Sequence, residues 1–124
     1  MAQIELSASF PSVHPIEYTI ERLCQLAETE GFKVSRVAPN QADFRRGSQA
    51  ALRLKGGLIA KIGDFPVVAA VRCDPAPSGC TVVIHSLDDL GFGLKFGMRK
   101  KYTEAVRTFG ETLAGMIGYI NSNG

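Results

Sequence analysis

Residues 4 to 10 alternate without a break, Ile4, Leu6, Ala8 and Phe10 on one side and Glu5, Ser7 and Ser9 on the other. That is the period of a strand with one buried and one solvated face. A helical rhythm follows. Pro15 suits a first helical position and Glu17 complements the dipole of a first turn. Ile16, Ile20, Leu23 and Ala27 recur at steps of three and four, and Gly31 before Phe32 is a stop signal.

From residue 32 to residue 98 the pattern becomes short alternating runs broken by turn residues such as Pro39-Asn40, Gly47-Ser48, Gly56-Gly57 and Asp88-Asp89. The runs at 32–37, 42–46, 50–55, 58–62, 67–73, 80–87 and 90–98 predict a meander of antiparallel strands, with 50–62 readable as one bent strand or two. Val67 to Val71 is apolar on both faces, which predicts a central strand covered on both sides. The chain ends in a stripe of Tyr102, Val106, Phe109, Leu113, Met116 or Ile117, and Ile120, over five turns of one amphipathic helix. Gly110, Gly115 and Gly118 each cost such a helix about 1 kcal/mol relative to alanine, so it must draw its stability from the sheet. The expected architecture is therefore a single α+β domain, a curved antiparallel sheet of about six or seven strands in the order β-α-β(5-6)-α, packed on a long C-terminal helix.

Composition supports an ordinary core. A chain of 124 residues should bury roughly two-thirds of its unfolded surface. The fractions of 45% hydrophobic and 21% charged residues disfavour disordered, fibrous and membrane classes. A net charge of +2 argues against nucleic acid as a partner. Glu5 interrupts the apolarity of the N-terminus, no run approaches the ~20 residues of a membrane span, and three cysteines is an odd number. A cytoplasmic location with free thiols is expected.

The stretch from Leu90 to Met98 alternates apolar residues with Gly91, Gly93, Lys95 and Gly97. Its spacing is not a dinucleotide fingerprint, and strand alternation favours a last strand whose glycines let a neighbour approach. An exposed hairpin touching a membrane surface or a partner is the competing reading. Arg99, Lys100 and Lys101 follow, where cations oppose the dipole of a helix start. With Lys95 they form a candidate contact for an anionic group or a protein partner, a second copy included; as plain solvated charges they need no partner. Arg45, Arg46, Arg53 and Lys55 form another basic set, for which ion pairing or solvation is expected.

Cys73 and Cys80 flank the turn from Asp74 to Gly79, so a hairpin could oppose them directly. His85 falls on the other face of its strand from Cys80, which argues against joint metal ligation. Cys24 reads as a packing residue and His14 as a cap of the first helix. Asp88-Asp89 fits a polar turn. No nucleophile, base and orienting group gather in sequence, so no catalytic signature, metal site or cofactor is expected.

This order of elements resembles the helix-grip fold of START-like and pollen-allergen-like domains, and, with fewer strands, the TATA-binding-protein-like fold; either could describe a small bacterial domain. The helix-grip resemblance implies a cavity for an apolar or amphipathic ligand between sheet and C-terminal helix. Its wall would come from Tyr102, Val106, Phe109, Leu113 and Met116 facing Phe44, Leu52, Leu54, Val82 and Ile84, the same residues that form the core if no cavity exists. Cyclase or hydrolase relatives would instead need Arg53, His85 and a carboxylate gathered in one cleft. The expected function is a non-catalytic binding module, with an interaction or membrane-surface module built on 90–101 as the alternative.

Overall fold

The computed structural model describes residues 5–47, 66–88 and 99–123. Helix α1 spans Ile16–Thr29 and buries Thr19, Ile20, Leu23, Cys24 and Ala27. It ends as the Gly31-Phe32 pair predicts. Gly31 takes φ +90°, its N–H donates to Glu28 O at 3.0 Å, and the Phe32 N–H donates to Ala27 O at 2.9 Å. This satisfies two carbonyls left over at the helix end and turns Phe32 back toward the core. His14 does not cap α1, since Pro15 occupies the N-cap position without a side-chain hydrogen bond. Instead His14 Nε2 donates to Ile120 O at 3.2 Å, at the far end of the chain.

Five strands complete the described sheet: β1 (Glu5–Ser12), β2 (Lys33–Ala38), β3 (Gln41–Arg46), β4 (Val67–Ala76) and β5 (Gly79–Asp88). They form one antiparallel, unclosed sheet in the order β1-β5-β4-β3-β2. The expected six or seven strands are thus five among the described residues; the runs at 50–55, 58–62 and 90–98 lie outside them. The β4–β5 hairpin is tighter than expected, because Ala76 pairs with Gly79 across Pro77-Ser78. That register sets Cys73 opposite Val82 and Cys80 opposite Pro75, so the two cysteines are not directly opposed. At Gly79, φ is +145° and a Cβ would lie 2.0 Å from Ser12 O, so only glycine fits where the hairpin meets β1.

Helix α2 spans Arg99–Asn123. Its stripe Tyr102, Val106, Phe109, Leu113, Met116, Ile117 and Ile120 is buried at every position. Both helices contact β4 and each other, and so share one face of the sheet. The inner row of β4 (Val67, Ala69, Val71, Cys73) is wholly buried under them. β4 is central, as its apolar run predicts, yet its other face is not covered to match: Val68 and Ala70 are only half-buried. With two helices on one side, the opposite row is shaded mainly by flanking strands.

Phe109 lies at the focus of this packing, edge-on to Phe32 with ring centres 5.0 Å apart. Phe109→Ala should lower unfolding free energy by about 3–5 kcal/mol, measured by urea denaturation, whereas truncation of the exposed Val37 should change it by less than about 0.5 kcal/mol.

Candidate functional site

The inner row of β1 is apolar from Leu6 to Phe10 and ends in Ser12, and its cover changes along the strand. Ser12 is buried and its Oγ lies 2.8 Å from Thr19 Oγ1. Asn121 near the end of α2 reinforces this end twice, donating from Nδ2 to Pro11 O and accepting from the Val13 N–H at Oδ1, both at 2.9 Å. Further back, Phe10 is half-buried, Ala8 is exposed, and Leu6 is 42% exposed. The strand is pinned at one end and uncovered at the other.

The uncovered part opens a groove of about 260 Å³ between β1, β5 and α2. Leu6, Ala8, Phe10 and Ile84 supply the apolar wall, and Ser86 and Gly110 face each other within it. The Arg107 and Glu111 side chains stand on its helical rim; Arg107 is paired with Glu104 and lies 3.7 Å from Glu111. Ser86 is 1% exposed, and its hydroxyl has no hydrogen-bond partner among the described residues. A Cβ on Gly110 would come within 3.3 Å of that hydroxyl, so the glycine allows the helix backbone to lie close over β5. A second depression of about 330 Å³, between Leu26, Met116 and Tyr119 of the two helices, is lined in part by the polar Thr29, Glu30 and Thr112.

The residues expected to bind a ligand separate clearly. Phe44, Tyr102, Val106 and Phe109 are each fully buried in the core. The Tyr102 hydroxyl donates to Pro66 O, next to the start of β4. Leu52, Arg53, Leu54 and Lys95 lie outside the described residues. Arg99 begins α2, with Lys100 exposed and Lys101 half-buried beside it. Of the groove wall only Ile84 was among the residues expected to line a cavity, although the alternation of residues 4 to 10 already placed Leu6, Ala8 and Phe10 on one face.

His85 lies on the outer face, where its Nε2 is 3.0 Å from Glu5 Oε2. It therefore points away from the groove. Arg46 also departs from expectation, because it follows Ala42 and Phe44 in the inward row of β3. Its guanidinium sits 5.0 Å from the Phe109 ring centre and 5.9 Å from that of Phe32. It donates to Ala105 O at 3.3 Å, and burial lowers its pKa. Stacking on aromatic faces suits a delocalised, weakly hydrated cation.

Among the described residues no group of His, Cys, Asp or Glu could hold a metal ion, and no helix is long and apolar enough to cross a membrane. Cys24, Cys73 and Cys80 are buried free thiols. Burial, then the neighbouring Cys80, pushes the Cys73 thiol up to about 12. Burial also raises Cys24, with the nearby Arg36 opposing it.

No protein-family model matches the chain, and no curated protein matches its sequence. Among solved structures it is similar to protein MLL2253 from Mesorhizobium loti, with a TM-score of 0.61 at 12% identity over 97% of this chain and 98% of that one. It also aligns to the di-domain ARO/CYC StfQ of the steffimycin biosynthetic pathway, with a TM-score of 0.47 at 10% identity, covering 97% of this chain and 51% of that one. The first likeness shows a shared fold, a sheet with a C-terminal helix across its inner face.

The thiols give a pH dependence of definite sign. Above pH 9 an unfolded Cys73 ionises while the folded one keeps its proton, so its contribution is intact below pH 9 and is lost as pH rises toward about 12. Chemical denaturation at pH 8 and pH 10.5 should show a smaller loss of stability for Cys73→Ala than for the parent protein.

Proposed function

We propose that the protein is a binding module for a small, largely apolar molecule carrying a single hydrogen-bonding oxygen, held in the groove between β1, β5 and α2. The observation that carries this reading is the Ser86 hydroxyl, buried and without a partner among the described residues, in a largely apolar wall. Leaving such a group unsatisfied costs about 1–3 kcal/mol. An alanine would fill the position without that penalty. A small outward shift of α2 at Gly110 would let a ligand oxygen reach the hydroxyl while the ligand's body covers Leu6, Ala8 and Phe10. The groove volume of about 260 Å³ lies just under the roughly 300–1,000 Å³ of drug-sized sites, which favours a compact ligand.

The placement between sheet and C-terminal helix agrees with the helix-grip resemblance, though this groove lies at the β1 edge rather than among the wholly buried Tyr102, Val106 and Phe109. Core packing occupies that central region. The ligand site in this reading is therefore formed where the helix leaves the sheet edge uncovered.

Matched probes test it. By titration calorimetry, a medium-chain alcohol should bind about three- to tenfold more tightly than the alkane of equal length, the ratio expected of one net hydrogen bond. Ser86→Ala should abolish that preference while stabilising the ligand-free protein by about 1 kcal/mol. Equal binding of alcohol and alkane by the parent, or destabilisation by Ser86→Ala, would show the hydroxyl to be a satisfied structural group.

A further inference from the structure

The two edges of the described sheet are built differently. β2 carries the devices that keep an edge from pairing: the Lys33 charge, a register irregularity between Arg36 and Ala38, and an inward charged side chain, Arg36, paired with Glu21 of α1 at 3.0 Å. β1 carries almost none of them. Its eight residues pair with β5 in unbroken register. Its charged residue, Glu5, is paired with His85 on the outer face, and its proline is confined to position 11, near the pinned end.

We propose that β1 pairs antiparallel with β1 of a second copy about a two-fold axis at Ala8, joining the two described five-stranded sheets edge to edge. The sequence of the strand is self-complementary in that register. Leu6 stands opposite the partner's Phe10 and Ala8 opposite the partner's Ala8 on the inner face, so the apolar residues left uncovered by α2 meet their counterparts. On the outer face Ser7 faces the partner's Ser9, and Glu5 faces the partner's Pro11. No like charges are opposed. Shifting the pairing by one residue would set the inner row of one copy against the outer row of the other and lose the apolar match. This pairing does not depend on the groove holding a ligand.

The register makes a charge-swap test available at exposed positions. Sedimentation velocity of the full chain should show a concentration-dependent monomer–dimer equilibrium. The double variant Ser7→Lys, Ser9→Lys places like charges opposite each other in both symmetry-related pairs and should weaken dimerisation about tenfold or more. Ser7→Lys, Ser9→Glu opposes unlike charges and should return to within about threefold of the parent. The mirror set, Ser7→Glu, Ser9→Glu against Ser7→Glu, Ser9→Lys, gives the same contrast should any lysine variant fold poorly. A parent chain that remains monomeric up to about 1 mM, the regime of very weak association, would overturn the proposal. So would like-charge and opposite-charge variants that dimerise equally.

Discussion

The structure depends on how much of one sheet face two helices can cover. Five strands at about 4.8 Å spacing measure roughly 19 Å between the outermost two, while packed helix axes sit about 8–10 Å apart. Two helices are then barely wide enough. α1 packs over β2, β3 and β4, α2 over β4, β5 and β1, and their contact with each other limits how far either can move outward. β4 receives cover from both helices, and its inner row from Val67 to Cys73 is completely buried. The deficit falls on an edge. It falls on β1, whose side-chain ties to the helices lie near Ser12 among the described residues, through Thr19 and Asn121.

The same constraint explains the polar groups inside the interface. Bringing α2 close enough to bury Leu113 and Ile117 requires small residues where its backbone passes over β5, and Gly110 opposite Ser86 is such a place. At the other end, Arg46 extends its guanidinium along the aromatic faces of Phe109 and Phe32, so its stem contributes packing while its head keeps a carbonyl partner in Ala105. Three thiols complete the inner layer as small apolar groups. None of these features alters the fold; each lets helix and sheet approach more closely.

Much of this was legible in sequence because period reports burial. The stripe from Tyr102 to Ile120, the Gly31-Phe32 stop and the central place of Val67 to Val71 all follow from spacing that a helix or strand must impose. The failures concern relations between distant residues. Cys73 and Cys80 are misaligned because Pro75 and Ala76 continue β4 beyond Arg72, where β3 no longer accompanies it, and a proline there breaks no ladder with that strand. His14 was assigned to its own helix, whereas its partner is 106 residues away. Among the expected ligand contacts, the aromatic residues belong to the core. Sequence cannot distinguish a cavity wall from a packed interior, because both use the same apolar positions. Ser86 gave no signal either, since a serine among alternating strand residues becomes unusual only once its neighbours are known.

The exposed row of β1 has a thermodynamic consequence that unites the groove and the strand edge. Leu6, Ala8 and Phe10 are set in register by β5, but this end of β1 lacks the ties that Thr19 and Asn121 give the other, so an occupant must hold it against fraying. A ligand would cover these side chains from above, whereas a second strand would extend the ladder from the side and touch only their flanks. They need not compete. Each would stabilise the end of β1 that Ser12 and Asn121 do not reach, so binding of one lowers the fraying cost borne by the other, and by linkage the effect is mutual. If both proposals hold, a sheet edge left uncovered for want of helix width would couple a small-molecule site to association without a moving part elsewhere in the fold.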